Sequence, residues 1–237
     1  MPTRSRIPVL AASLLAALAL GGVQHPALTH SAASAATRPT TDTGPLPVAS
    51  GEPDAKIVYL TFDDGPHPRW TPQILQVLDQ YRAHATFFVI GQQADRYGAL
   101  VRREHAAGHG IGNHTWSHRP LQGVSYARFR QEVLRTQQVL GPLGSHCLRP
   151  PYGAMDSHTR QYAESLGFQV VLWTIDTRDW QRPGASVIVQ SVLSRVRPRS
   201  IIVFHDAGGD RAQTVAALRT ILPRLRAAGY EMVPICR

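Results

Sequence analysis

From residue 54 onward, short apolar runs alternate with amphipathic stretches. Seven runs have the β-branched and aromatic composition of buried strands: 56–62, 85–90, 109–114, 147–149, 169–175, 200–204 and 231–235. Six stretches between them have apolar residues at helical spacing: 71–81, 94–107, 125–140, 156–166, 185–196 and 211–228. Strands that alternate with helices indicate parallel β/α structure. We therefore predict an α/β fold, a distorted or incomplete (β/α) barrel with about seven parallel strands; an open doubly wound sheet is the alternative.

Residues 1–36 have the features of a secretory signal peptide. Arg4 and Arg6 precede an uncharged apolar run over residues 7–23, and small residues follow up to position 36. The apolar run is short for a membrane anchor, which is the alternative, so we expect export, cleavage and no stable membrane insertion of the mature protein. Residues 37–53 contain four prolines and two glycines and are expected to form a linker. The folded domain is predicted to span residues 54–237.

The chain is strongly basic, with 25 Lys and Arg against 16 Asp and Glu and a formal net charge of +9. Lys56 is the only lysine, so the positive charge is almost entirely arginine. Such a balance favours an anionic partner, which can be a nucleic acid, an anionic lipid or an acidic cell-wall polymer. No zinc-finger, RNP-type or basic-region pattern is present, so we expect a wall polymer and no nucleic acid.

Two cysteines, Cys147 and Cys236, are too few for a cystine framework. After export they can form one disulfide, and the alternative is two separate thiols. The sequence alone leaves both arrangements open.

Polar clusters follow five of the predicted strands. They are Asp63-Asp64-Gly65-Pro66, His114-Thr115-Trp116-Ser117-His118, Arg149, the segment 176–180, and His205-Asp206. In a β/α barrel the carboxyl ends of the strands share one rim, and active sites assemble there. Each cluster alone has an ordinary structural explanation, such as a turn, a surface loop or a salt bridge. Five clusters at five strand ends indicate an enzyme.

One subset of these residues has the chemistry of a metal site. His114 and His118 are four residues apart, so a compact loop can direct both imidazoles at one ion. Asp63 and Asp64 are adjacent carboxylates that repel each other unless a cation or a base separates them. One Asp with two His is a three-ligand set that leaves a position for water, as in catalytic zinc sites.

The clusters resemble a known family. In order, Thr61–Pro66, His114–His118, Arg149–Gly153, Asp176–Trp180 and Val203–His205 are similar to the five motifs of the polysaccharide deacetylases, the NodB-homology group or carbohydrate esterase family 4. The similarity spans about residues 56–235, which is nearly the whole predicted domain. It implies a distorted (β/α) barrel and a divalent metal, with zinc expected and cobalt as the second choice.

The resemblance also implies a role for each site residue. Asp64, His114 and His118 correspond to the metal ligands. Asp63 corresponds to the catalytic base, and Arg149 to the arginine that orients this base.

The remaining motif residues correspond to the proton donor and the substrate pocket. His205 corresponds to the general acid, and Asp176 to the carboxylate paired with it. The backbone N–H of Tyr152 corresponds to the oxyanion donor, and Trp180 to a wall of the acetyl pocket. Val203 stands where the family usually has Leu, which affects the shape of that pocket.

The sequence therefore predicts a secreted or cell-wall-associated hydrolase that acts on carbon–nitrogen bonds other than peptide bonds. It would remove acetyl groups from N-acetylglucosamine in peptidoglycan or chitin oligomers, using a metal-activated water, Asp63 as base and His205 as acid. One alternative is an O-acetyl xylan esterase on the same scaffold. Another is a catalytically silent glycan-binding protein.

Overall fold

The computed structural model describes residues 56–237. The predicted signal peptide and linker, residues 1–53, lie outside the described residues. Within the described range, no helix combines the length and apolar character needed to span a membrane.

The described chain forms one sheet of eight short strands. They are β1 Ile57–Asp63, β2 Ala85–Val89, β3 Gly110–Asn113, β4 Cys147–Leu148, β5 Gln169–Val170, β6 Ile175–Asp176, β7 Ile201–His205 and β8 Glu231–Met232. The order is β5-β4-β3-β2-β1-β7-β6, with β8 against β1, and all the pairs are parallel. The predicted distorted (β/α) barrel is confirmed.

The segment expected as one strand, 169–175, is two strands at opposite ends of the sheet. The N–H of Val171 donates to the carbonyl of Leu148 in β4 at 2.9 Å, near one end of the sheet. The N–H of Thr174 donates to the carbonyl of Ile201 in β7 at 2.9 Å, near the other end. Residues 171–174 therefore form the seam where the curled sheet closes on itself.

Within residues 56–237, seven α-helices lie in the connections between successive strands. They are α1 Trp70–Gln80, α2 Gly91–Arg96, α3 Gly98–Ala106, α4 Tyr126–Leu140, α5 Ser157–Ser165, α6 Ala185–Leu193 and α7 Ala212–Ala227. The helix predicted over 94–107 is two helices that meet at Tyr97, whose backbone leaves the helical region. Asp156 caps α5 with a reciprocal capping box, which explains its sharp start.

The two faces of β1 have different surroundings because successive strand residues point to opposite sides. Val58, Leu60 and Phe62 pack in the main core between the sheet and the helices. The alternate residues Thr61 and Asp63 are buried on the other face, inside the barrel. This alternation places a carboxylate in the barrel interior at the carboxyl end of its central strand.

A disulfide joins Cys147 of β4 to Cys236, which lies beyond β8. Both half-cystines are buried and pack with apolar residues of the barrel interior. Of the two arrangements that the sequence left open, the structure has the bridge. It fastens a two-residue strand that has few backbone bonds of its own.

Candidate active site

A cleft of about 380 Å³ opens at the carboxyl ends of the strands. It is lined by Asp63, Asp64, His114, His118, Tyr152, Trp173, Asp176, Trp180, Val203, His205, Gly208 and Arg211. Every residue predicted from the sequence as a site residue is in this set except Arg149, which is fully buried and bonded to Asp63. The barrel topology therefore brings the five sequence clusters together.

Asp64, His114 and His118 form a compact set of potential metal ligands. One ligand atom from each lies within 4.8 Å of the other two. The Asp64 Oδ1 atom is 3.1 Å from His118 Nε2 and 3.5 Å from His114 Nε2. This oxygen is buried and makes no hydrogen bond within residues 56–237. A buried, unpartnered carboxylate oxygen between two imidazole nitrogens fits a divalent cation with nitrogen and oxygen ligands.

Backbone conformation and hydrogen bonding orient these potential ligands toward one another. Asp64 and His118 both have left-handed backbone conformations, with φ of 79° and 58°. Such conformations cost free energy for a residue with a Cβ and are concentrated at functional sites. His114 Nδ1 lies 2.8 Å from the carbonyl of Arg149 and donates to it, so the lone pair of Nε2 faces Asp64. Burial raises the pKa of Asp64, but the two imidazoles more than offset this and hold that pKa well below its usual value.

Asp63 is buried and is held by Arg149. Nη1 of Arg149 donates to Asp63 Oδ1 at 2.8 Å and to the Thr61 hydroxyl at 2.7 Å. The other carboxylate oxygen, Oδ2, lies 4.0 Å from His114 Nε2. Asp63 therefore has one oxygen fixed by a guanidinium and the other directed at the ligand cluster.

The Arg149 side chain also completes the seam of the barrel. Its Nε donates to the carbonyl of Val171 at 3.0 Å, and its Nη2 donates to the carbonyl of Leu172 at 3.1 Å. These carbonyls belong to the residues that interrupt the predicted strand 169–175. One buried cation thus bonds the seam and the carboxylate of Asp63 at once.

The carboxylate that pairs with His205 is Asp179, and the prediction of Asp176 for this role is wrong. His205 Nδ1 lies 2.7 Å from Asp179 Oδ1, and the backbone N–H of His205 donates to Asp179 Oδ2. Thr214 also donates to Oδ2, so Asp179 is fully buried and well bonded. Burial lowers the pKa of His205, but the bond and charge of Asp179 outweigh this and raise that pKa to about 9.

The position of Asp176 explains the difference. Its Oδ1 accepts from the N–H of Arg178, and its side chain is 38% exposed at the edge of the cleft. Arg178 has a left-handed backbone with φ of 52°, which turns the chain between the two aspartates. This turn directs Asp179 inward beneath His205 and leaves Asp176 at the surface. The sequence showed both aspartates but not the turn.

The residues predicted to contact substrate lie at the mouth and wall of the cleft. Tyr152 is 68% exposed, has φ of 60°, and packs its ring edge-on against His118 at 4.8 Å. Trp180 is 52% exposed, whereas Val203 is buried in the wall. Trp173 also lines the cleft, and no sequence pattern distinguishes it, because it lies in the middle of an apolar run.

Arg211 is a second cleft-lining residue that was not predicted from the sequence. This buried side chain donates from Nε to the carbonyl of Ala207 and from Nη1 to the carbonyl of Asp179. It therefore fixes the backbone of the residue that holds His205. A lone Arg before a helix carries no signal in the sequence.

Asp206 packs against the loop that contains Asp63, Asp64 and Gly65. Its N–H donates to the carbonyl of Asp63, and its carboxylate accepts from the Thr71 hydroxyl. A Cβ on Gly65 would overlap the Asp206 carboxylate, so glycine is required at that position. Burial raises the pKa of Asp206 to about 7.

The chain is similar in sequence to deacetylases of polysaccharides and oligosaccharides. The family model described as polysaccharide deacetylase matches residues 50–171. A peptidoglycan-N-acetylglucosamine deacetylase of Bacillus cereus is 41% identical over 187 residues, which cover 76% of this chain and 86% of that protein. A chitooligosaccharide deacetylase of a Bradyrhizobium species is 39% identical over 195 residues, with 76% and 89% covered.

Solved structures match the fold as well. The Bc1960 peptidoglycan N-acetylglucosamine deacetylase, in complex with 4-naphthalen-1-yl-N-oxidanyl-benzamide, has a TM-score of 0.74 and 37% identity, covering 78% of this chain and 88% of that chain. BA3943 of Bacillus anthracis, a pseudoenzyme of carbohydrate esterase family 4, has a TM-score of 0.71 and 26% identity, covering 78% and 66%. The fold therefore occurs both in deacetylases and in a protein named as a pseudoenzyme.

Proposed function

Because the chain belongs to the polysaccharide deacetylase family, we propose that it is an exported, metal-dependent hydrolase that removes acetyl groups from N-acetylglucosamine residues of a glycan. One observation carries this proposal. A three-ligand site shares its cleft with a carboxylate held by an arginine and a histidine held by a carboxylate. The relatives named as peptidoglycan and chitooligosaccharide deacetylases support the substrate class.

Asp64, His114 and His118 would hold the divalent cation, zinc or cobalt. The cation would polarise the acetyl carbonyl and lower the pKa of a water in the site. Asp63 accepts the proton of the attacking water through Oδ2, because Arg149 fixes Oδ1. The backbone N–H of Tyr152 donates to the carbonyl oxygen as negative charge develops there.

The second half of the reaction requires a proton for the departing amine. His205 donates it from Nε2, while Asp179 holds Nδ1 and stabilises the imidazolium. Because the pKa of His205 is raised to about 9, this histidine carries its proton at neutral pH. Trp180 and Val203 bound the space for the acetyl group, next to the cleft-lining Asp176.

The assay that tests the proposal measures acetate release from peptidoglycan, chitin oligomers and acetylated xylan. Release from the first two supports the proposed substrate class, and release from xylan alone supports an O-acetyl esterase. Absence of release from all three, with metal bound, supports a silent glycan-binding protein. The presence of the complete ligand set and of both proton-transfer residues favours an active enzyme.

Two features support export to the cell wall. The Cys147–Cys236 disulfide is of the kind that persists in oxidising compartments. Removal of residues 1–36, which contain two arginines and no acidic residue, would leave a net charge of +7, and this charge would attract an anionic wall polymer. Detection of the protein in the medium or the wall fraction, without residues 1–36, tests this part of the proposal.

Removal of metal is expected to abolish acetate release, and added zinc or cobalt is expected to restore it. His114→Ala removes one of three ligands, so elemental analysis should show a large loss of bound metal. His146→Ala, a change outside the cleft, is the matched control and should retain the metal. Full activity of metal-free protein, or unchanged metal content in His114→Ala, contradicts the proposal.

Asp179→Asn is expected to shift the alkaline limb of the kcat profile by about 1–3 pH units toward acid, because an adjacent carboxylate raises a histidine pKa by this amount. Because the pKa of His205 is higher in the folded state, its pairing with Asp179 stabilises the fold fully below about pH 6.5. This contribution to stability is lost as the pH rises through about 9. Asp176→Asn is the matched control. An equal alkaline shift in both variants, or in neither, contradicts the assignment of Asp179.

A further inference from the structure

The loop that carries His118 is attached to α4 by one buried carboxylate. This carboxylate belongs to Glu132, which is 2% exposed. Its Oε2 accepts from the N–H of Ser117 at 2.9 Å, and Oε1 and Oε2 accept from the Ser117 hydroxyl at 2.8 Å and 3.0 Å. Arg128 Nη2 lies 3.3 Å from Oε1, so the charge of the carboxylate is paired. Both oxygens of Glu132 therefore bind the residue that precedes a potential metal ligand.

The rest of the loop is held at its beginning. Asn113 Nδ2 donates to the carbonyl of Val133 on α4 at 2.9 Å, and Asn113 Oδ1 accepts from the N–H of Thr115 at 2.9 Å. The carbonyl of Thr115 accepts from the N–H of Gly91 on α2 at 2.9 Å. At the other end of the loop, Glu132 supplies every hydrogen bond that joins residue 117 to the described part of the chain.

The two histidines of the potential ligand set differ in how their rings are oriented. The Nδ1 atom of His114 donates to the carbonyl of Arg149 at 2.8 Å. The His118 ring has no such bond to residues 56–237; its Nε2 lies 3.1 Å from Asp64 Oδ1, and it packs against the ring of Tyr152. A ligating histidine usually has its second ring nitrogen fixed by a hydrogen bond. The direction of the His118 ring therefore depends on its backbone, which is left-handed with φ of 58°.

We propose that Glu132 is a positioning residue for the metal site, because it fixes Ser117 and, through it, the left-handed backbone of His118. Such a conformation costs free energy and persists only where the surrounding structure enforces it. The proposal rests on the proposed function, since it concerns the cation that the three potential ligands would hold. It adds that a carboxylate on α4, which does not line the cleft, determines how tightly this cation binds.

The test measures the zinc dissociation constant of each variant by competition with a chelator. Glu132→Ala leaves the N–H and the hydroxyl of Ser117 without their acceptor, so the dissociation constant should rise about 10–100-fold, the usual effect of removing a group that orients a metal ligand. Ser117→Ala loses only the hydroxyl, so the rise should be smaller. Glu132→Gln keeps one acceptor oxygen and should recover part of the affinity that Glu132→Ala loses.

Gln138→Ala is the matched control, because Gln138 is an exposed polar residue on the same helix. It should leave the dissociation constant unchanged. A merely structural role of Glu132 would lower the Tm of Glu132→Ala and leave its zinc affinity at the wild-type value, and this result would overturn the proposal. The visible spectrum of bound cobalt reports ligand geometry, so it should change in Glu132→Ala and not in the control.

Two measurements separate this proposal from the proposed function. If metal binds but no acetate is released, the proposed activity fails, and the dissociation constants still decide the role of Glu132. If the wild type binds neither zinc nor cobalt, the proposed metal site fails. Faster amide hydrogen exchange over residues 114–118 in Glu132→Ala than in the wild type, both metal-free, then still supports positioning of the loop, and equal exchange contradicts it.

Discussion

Asp63→Asn is expected to lower kcat by about 10²–10⁴-fold, the usual effect of removing a general base. The amide cannot take a proton from the attacking water, but it has nearly the same size as the carboxylate. Its oxygen can still accept the bond from Arg149, so the fold and the ligand cluster should be retained. Acetate release, circular dichroism and metal content on the same preparation provide the measurement.

Asp95→Asn provides the matched control for this substitution, because Asp95 is exposed on α2. It should leave kcat within about twofold. If Asp63→Asn turned over substrate at the wild-type rate, the assignment of Asp63 as the general base would be contradicted. Loss of bound metal in the same variant would show that Asp63 supports the ligands rather than the proton transfer.

Arg149→Met is expected to lower the free energy of unfolding by about 3–5 kcal/mol, because it leaves the Asp63 carboxylate buried and unpaired. It also removes the donors for the carbonyls of Val171 and Leu172. For a domain of this size, such a loss lowers the Tm by about 6–20 °C. Differential scanning calorimetry measures the change.

The double variant isolates the ion pair. In an Asp63→Asn background no carboxylate remains to be left unpaired, so Arg149→Met should cost less by at least about 1 kcal/mol. Arg102→Met, an exposed change on α3, should move the Tm little. Strict additivity of the two substitutions would show that the pair contributes nothing to stability.

The order of strands and helices along the chain could be predicted, because the spacing of apolar residues is a local signal. The position of the candidate active site could also be predicted, because polar clusters follow the strands in the sequence. It did not predict the seam, because the apolar run 169–175 is uninterrupted and only closure of the sheet decides where it breaks. The boundary between two helices at Tyr97 was also not predicted, because the amphipathic pattern over 94–107 continues across Gly98, the first residue of the second helix.

Contacts between residues that are distant in the sequence could not be predicted either. Asp176 and Asp179 have identical chemistry, and only the left-handed Arg178 decides which one reaches His205. The disulfide depends on Cys147 and Cys236 coming within 6.2 Å at their Cα atoms, although 89 positions separate them in the chain. Composition and spacing contain neither piece of information.

The dual bonding of Arg149 has an evolutionary consequence. If the protein has the proposed activity, a descendant that lost this activity would be free to lose His205 or the three potential metal ligands, since none of them closes the sheet. It could not discard Arg149 as easily, because the guanidinium bonds the seam carbonyls of Val171 and Leu172. In inactive members built on this scaffold, the arginine should therefore outlast the catalytic groups, and its presence alone is a poor marker of activity.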